Sequence, residues 1–276
     1  MGIDPAYEAP EGWHAALASL AWQVDLGVGD VTLDAPVNRY DLVEAAAAQV
    51  EVQAVAVKAG PVVMAAPVVA SGEVAVAAAQ AAASGAATLE ELRAALAAYP
   101  HCEIKQGARS LVFGDGNPGA RVLILGEAPG SEEDREGRPF VGAAGQLLDR
   151  MFAAIGLSRG ADDPAEAVYI TNVMPWRPPQ NRDPSLGEIA MMRPFVQRHI
   201  ALVNPDVIVL MGNTPCQAIL GQRGILKLRG AWAEALGKPV LPMAHPAYLL
   251  RNPIAKREAW ADLLALRERL GKARLG

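Results

Sequence analysis

The sequence predicts an α/β fold: a three-layer α/β/α sandwich around a central, mainly parallel four-stranded sheet, with an N-terminal helical and linker extension. Two observations predict it. From residue 107 onward, short apolar runs of strand length alternate with longer segments of helical spacing, and strands alternating with helices build a parallel sheet between helix layers. In addition, the run RVLIL (121–125) is apolar after its first residue and stops at Gly126, as a strand buried on both faces does. Apolar residues make up 51% of the 276, which is material for a sizeable core.

Taken in order, residues 11–26 place Trp13, Leu17, Leu20 and Val24 near one helical stripe, a short amphipathic helix. Residues 45–87 are dominated by Ala and Val with Gly and Pro interruptions. They read as a flexible linker, because few large side chains are available to offset ordering entropy. The runner-up is an Ala-rich helix around Glu73 to Ser84. At TLEELRAALAA, Thr88 with Glu91 three residues on forms a capping box for a helix. The four strands are expected at 121–125, 168–173 (VYITNV), 206–211 (DVIVLM) and 240–243. Helices are expected at 145–155, at 188–202 with a break or bend near Pro194, from 214 to 220, and from 255 to 270. The resulting domains are an extension at 1–44, a linker at 45–87 and a main domain at 88–276.

The charge is uneven. Residues 1–100 carry 12 acidic and 3 basic side chains, a net of −9, whereas 101–276 carry 18 and 22, a net of +4. The overall −5 therefore does not keep the C-terminal part from a polyanion. No stretch has the uninterrupted apolar length of a membrane span, and MGIDPAYEAPEG lacks the basic start and apolar stretch of a signal peptide. Cys102 and Cys216 are far apart in sequence and without a ligand-like spacing, so neither a disulfide framework nor a cysteine metal site is suggested. A reducing cytoplasm fits.

In open parallel sheets, sites collect beyond the C-terminal strand ends. Three loops lie there: GEAPGSEEDREGRPFVGAAGQ (126–146), TNVMPWRPPQNRDP (171–184) and HPAYLLRNP (245–253). Each alone has a plainer explanation. A Gly-rich strand–loop–helix is commonly a generic turn, a strand-end Asn caps turns, Phe140 can be core, and Glu132 and Glu136 suit a solvated face. Three polar loops converging on one sheet edge favour a site.

These loops, with the lead-in LVFGDGNPGARVLILGEAPG, resemble family 4 of the uracil-DNA glycosylase superfamily over about 88–270. The resemblance implies an enzyme that flips uracil out of DNA, at a cost of roughly a few kcal/mol, and hydrolyses its N-glycosidic bond. It implies that Phe140 stacks on uracil and that Asn172 reads its edge, since an amide both donates and accepts whereas a carboxylate only accepts. His245 would donate to the negative charge growing on the departing base. Glu127 and Glu133 occupy acidic positions that would hold water or shape the pocket. Gly126, Ala128 and Asn181 complete the substrate-binding set. Tyr248, Leu249 and Leu250 would fill the space left by the flipped nucleotide, at least one Leu being buried, with Arg251 and Arg182 near phosphates. A monomer acting on uracil-containing DNA in the cytoplasm, at the nucleoid, is implied.

Many members of that family hold an iron–sulfur cluster on four cysteines. The corresponding positions here are Tyr99, Cys102, Trp176 and Met191 or Met192, and a cubane cluster wants four thiolates. A branch without cluster, metal or other cofactor is expected, with apolar side chains filling the volume. The second loop has no basic insertion carrying a His of the kind that bonds covalently to DNA. Two alternatives stand beside the enzyme: a non-catalytic binder of uracil-containing or damaged DNA, and a nucleotide-binding protein, which the acidic first loop without a Walker Lys disfavours.

Overall fold

The computed structural model describes residues 68–272; the helix expected at 11–26 and the linker up to residue 67 lie outside them. Four fully or largely buried strands form the centre of the sheet: β2 (Val122–Gly126), β3 (Val168–Asn172), β4 (Val207–Met211) and β6 (Lys238–Met243). They pair in parallel, with Gly126 beside Asn172 and Val122 beside Val207. The sheet has six strands, not four. Antiparallel edges are added by β1 (Asp115–Gly116), next to β3, and β5 (Ala233–Ala235), next to β6. The order is β1-β3-β2-β4-β6-β5. The chain leaves β2 for β3 on one side and then crosses to β4 on the other, and in such sheets a crevice opens at that reversal, beyond the strand ends.

Alternate residues feed opposite layers. Val122, Ile124, Val168, Ile170, Val207 and Val209 pack with Leu148 and Phe152 of α4 (Ala143–Ala153) and with Leu263 and Leu266 of α9 (Lys256–Lys272). On the other face, Leu123, Leu125, Tyr169, Ile208 and Leu210 pack with Ile189, Val196 and Ile200 of α5 (Leu186–Val203) and Cys216 of α6 (Asn213–Leu220). The expected break at Pro194 is absent: α5 runs through it, opened by a reciprocal Ser185–Glu188 capping box. Shorter helices lie at α3 (Ser131–Glu136), α7 (Ile225–Leu228) and α8 (Pro246–Arg251).

The flexible-linker reading does not hold for the described part of 45–87. Residues Val68–Gly85 form α1, the helix weighed second, and it lies against α5. Ala79, Ala83 and Ala86 are buried in one cluster with Leu92 and Leu96 of α2 (Leu89–Ala98), Tyr99, Trp176 and Phe195. Small side chains serve here because they let two helix backbones approach closely, so that contact area comes from the partner's larger groups. The Tyr99 hydroxyl donates to the Ala75 carbonyl at 2.6 Å, and Arg198 Nε donates to that of Ala86 at 2.7 Å. Thr88 Oγ1 accepts from Glu91 N–H, and the Glu91 carboxylate accepts from Ala87 N–H, closing the start of α2.

Candidate active site

The first loop leaves β2 at Gly126 and is held by carboxylates. Glu133 accepts from the N–H groups of Gly130, Val141 and Gly142, each at 3.0 Å. Asp134, buried, accepts from Arg109 and Ser110 N–H at 2.9 and 3.0 Å. Both oxygens of Glu133 are thus engaged by main chain, and its place is under the loop that carries Phe140. Glu127 differs. It is partly buried, Thr214 Oγ1 donates to it at 2.7 Å, and burial holds its carboxyl above the ordinary range despite that bond. The two acids therefore divide into a loop clamp and a carboxyl at the strand ends.

Phe140 sits at φ 54°, a left-handed conformation that costs a non-glycine residue about 1–2 kcal/mol. Three things hold it there. Glu133 binds the two residues after it. A Cβ on Gly145 would overlap the Phe140 carbonyl, so only glycine allows α4 so close. Arg159 donates to the carbonyls of Pro139 and Phe140, each at 2.9 Å. Nothing in its surroundings in the chain, Ser158-Arg159-Gly160, signals that role, because its partners are backbone atoms some 20 residues away.

The ring reaches back over the strand ends. A Cβ on Gly126 would overlap Asn172 Oδ1 and stand 2.5 Å from Phe140 Cε2. Gly126 is the gap between a flat aromatic and an amide. Asn172 is buried, and its Oδ1 has no hydrogen-bond partner. An unpaired buried acceptor costs about 1–3 kcal/mol, so a donor arriving there recovers free energy.

His245 precedes α8 and caps it: Nδ1 accepts from Ala247 N–H at 3.1 Å. That bond places the proton of the neutral ring on Nε2, leaving Nε2–H as the free donor. Burial, reinforced by the Arg251 charge and opposed by Glu133, pulls its pKa down to about 4. The imidazole lies 5.4 Å from the Phe140 ring, at 29° to it. Gly126, Glu127, Phe140, Asn172 and His245 thus gather at one end of the sheet.

Other expected residues lie elsewhere. Leu249 is 0% exposed, packed with Leu147, Ala244 and Ala259, so it cannot fill a DNA gap; the phase of α8 turns it inward. Leu250, at 41%, and Ile254, at 93%, are the exposed apolar residues of this loop, with Arg251 beside them. Ile254 had no signal beyond its neighbours' charge. Tyr248 is half-buried. Asn181 is exposed at φ 54° and accepts from Arg177 Nε at 2.8 Å. Arg182 is bidentate to Glu188, at 2.9 and 2.6 Å. The side chain of Ala128 packs toward the Tyr99 cluster.

That cluster contains the four positions at which the family resemblance implies cluster cysteines. Tyr99, Cys102, Trp176 and Met192 are buried together, with Met191 partly buried against them. They offer one thiol, raised in pKa by burial, beside a phenol, an indole and a thioether. This donor set does not fit a four-thiolate cluster. Among the described residues, no group of three or more His, Cys, Asp or Glu is placed to hold a metal ion.

An α/β/α sheet carries its polar loops at a topological switch point, and there an aromatic, a buried amide and a neutral His stand together. The model of the uracil DNA glycosylase superfamily matches residues 113–264. The chain is 37% identical over 190 residues to a type-4 uracil-DNA glycosylase of Sulfurisphaera tokodaii, covering 65% of this chain and 84% of that one. It is 42% identical over 154 residues to the type-4 enzyme of Thermotoga maritima (55% and 77%), and 37% over 193 residues to that of Archaeoglobus fulgidus (67% and 94%). The protein belongs to the uracil DNA glycosylase superfamily.

Proposed function

We infer that the protein is a monofunctional uracil-DNA glycosylase, hydrolysing the bond between uracil and deoxyribose after the nucleotide is flipped out of the stack. The observation that carries this is the buried, unpartnered Asn172 Oδ1 facing Phe140 across Gly126. Uracil offers a ring N–H to that oxygen and a carbonyl to the amide NH₂, while its face suits the phenyl ring. The family resemblance and the type-4 relatives support the same chemistry.

As the glycosidic bond lengthens, negative charge collects on the base and the sugar takes on oxocarbenium character. His245 Nε2–H, preset by the Ala247 bond, donates to that charge without any proton having to be gained or lost first. Glu127, at the end of β2, orders the attacking water, and Glu133 keeps the loop in shape. Leu250 and Ile254 enter the space vacated in the duplex, and Arg251 meets a phosphate. The apolar Tyr99–Trp176–Met192 packing stands at positions where the family resemblance implies cluster cysteines, and the enzyme works without a cluster.

The test is Asn172→Asp, assayed by alkali cleavage of an oligonucleotide bearing one uracil. Wild type cleaves; the variant loses uracil excision sharply and gains weak action on cytosine, which presents a donor where uracil presents an acceptor. Unchanged uracil kinetics in the variant would remove Asn172 from the site. A wild-type protein that binds this DNA yet never cleaves it would establish a non-catalytic binder instead.

A further inference from the structure

The Arg159 guanidinium donates four hydrogen bonds. Nε donates to Asp149 Oδ1 at 2.8 Å; Nη1 donates to Asp115 Oδ2 at 3.0 Å and to the Pro139 carbonyl at 2.9 Å. Nη2 donates to the Phe140 carbonyl at 2.9 Å and lies 2.8 Å from Asp149 Oδ1. A guanidinium carries five N–H groups in a rigid planar fork, and four of them donate here. The side chain is 15% exposed, so these bonds are largely shielded from competing water.

The partners come from three places. Asp115 belongs to the edge strand β1 and Asp149 to α4, both parts of the frame. The two carbonyls belong to the strained residue Phe140 and the one before it. Arg159 therefore ties to the frame a loop held at φ 54°, adding to the grip of Glu133 and the close approach of Gly145. Surface ion pairing alone does not account for the geometry: the carboxylates could be met by a lysine, whereas two adjacent carbonyls and two carboxylates at once require the fork.

We propose that Arg159 is a positioning residue for uracil excision, setting the plane of the Phe140 ring against the flipped base by gripping the carbonyls of Pro139 and Phe140. This rests on Phe140 stacking on uracil. Arg159 touches no substrate, so its loss acts through the ring. Misplacing a contact group by about 1 Å costs on the order of 100-fold in rate, and losing two hydrogen bonds from a charged donor is of the same order.

The experiment is a double-mutant cycle in single-turnover cleavage of a uracil-bearing single-stranded oligonucleotide, with Arg159→Met, Phe140→Ala and the pair. Inhibition by free uracil and affinity for an oligonucleotide carrying a tetrahydrofuran abasic site are measured in parallel. Arg159→Met should slow cleavage about 10- to 100-fold and weaken inhibition by uracil, with abasic-site affinity nearly unchanged. In the Phe140→Ala background it should cost less than about 3-fold. Millimolar guanidinium should partly restore Arg159→Ala, and Arg159→Lys should lie between wild type and Met; both hold if the Met variant proves too unstable to assay. Effects that multiply in the pair, or an Arg159→Met rate near wild type while Phe140→Ala is slow, overturn the proposal and leave the stacking role of Phe140 intact. A Phe140→Ala enzyme as fast as wild type overturns both.

Discussion

His245 does two jobs with two nitrogens, and a pair of substitutions separates them. Nδ1 accepts from Ala247 N–H and caps α8; Nε2–H is the proposed donor to the departing base. His245→Ala removes both. Losing an N-cap acceptor costs about 1 kcal/mol, which lowers Tm by roughly 2–4 °C in a domain of this size. Losing an oxyanion donor costs about 3–4 kcal/mol in the transition state, a rate loss on the order of 100- to 1000-fold. His245→Asn keeps an N-cap acceptor but removes the ring donor. The expected result is a Tm close to wild type for Asn and a few degrees lower for Ala, with both variants equally slow in single-turnover cleavage. Affinity for uracil-containing DNA should change little, since phosphate contacts supply most of it. With the His245 pKa at about 4, the wild-type rate should show no inflection near pH 6.5 from this group. An Asn variant that cleaves near the wild-type rate, or rate losses that merely track Tm and DNA affinity, would refute the division of labour.

Three further outcomes are expected. His199, stacked on Phe113 and bonded to Tyr169, has its pKa pulled down to about 3 by burial. The unfolded chain protonates each such histidine near 6.5, so stability falls with pH below that value, by about 2 kcal/mol each for His199 and His245 at pH 5; urea melts of His199→Phe should show a shallower loss. Starting the chain at Ala86 strips α1 from Tyr99 and α5 and should cost about 3–5 kcal/mol in a denaturant titration. Purified protein should carry no iron by elemental analysis, and Cys102→Ser should leave excision almost intact; stoichiometric iron with visible absorbance would overturn the cluster-free reading.

What could be read from the sequence follows burial. The four central strands were legible because runs such as VLIL, VYIT and VIVL lie between two helix layers and need no polar residue. The edges were not: Asp115–Gly116 and Ala233–Ala235 have two and three residues and no apolar run, their pairing being dictated by neighbours. Helix α1 was undervalued because its contact area lies in the partner's side chains and not in its own alanines. At the site, the loops that end β2, β3 and β6 announced themselves by composition. The inward turn of Leu249 did not, because a six-residue helix has too few turns to fix a phase, and neither did the exposure of Ile254, which lies beyond that helix. The separate tasks of Glu127 and Glu133, and the grip of Arg159, depend on which backbone groups come within reach, and spacing does not encode that.

The docking of α1 also bears on how the chain is made. Arg198 stands 112 residues beyond Ala86, whose carbonyl it binds, and α1 lies along α5. A ribosome emits α1 well before α5, at roughly 5–20 residues per second. For several seconds an alanine-rich segment, too weak a helix to persist alone, waits outside the tunnel without its partner. Closing so long a loop carries an entropic cost that grows only slowly with length, so the docking is thermodynamically easy but comes late. The sheet's own order compounds the delay, because β4, next to β2, is made after β3 and more than eighty residues downstream of β2. The helix synthesised first among the described elements has its whole partner only once Val203 is made, and a nascent chain arrested before Val203 would present its unburied face to whatever chaperone or protease is near.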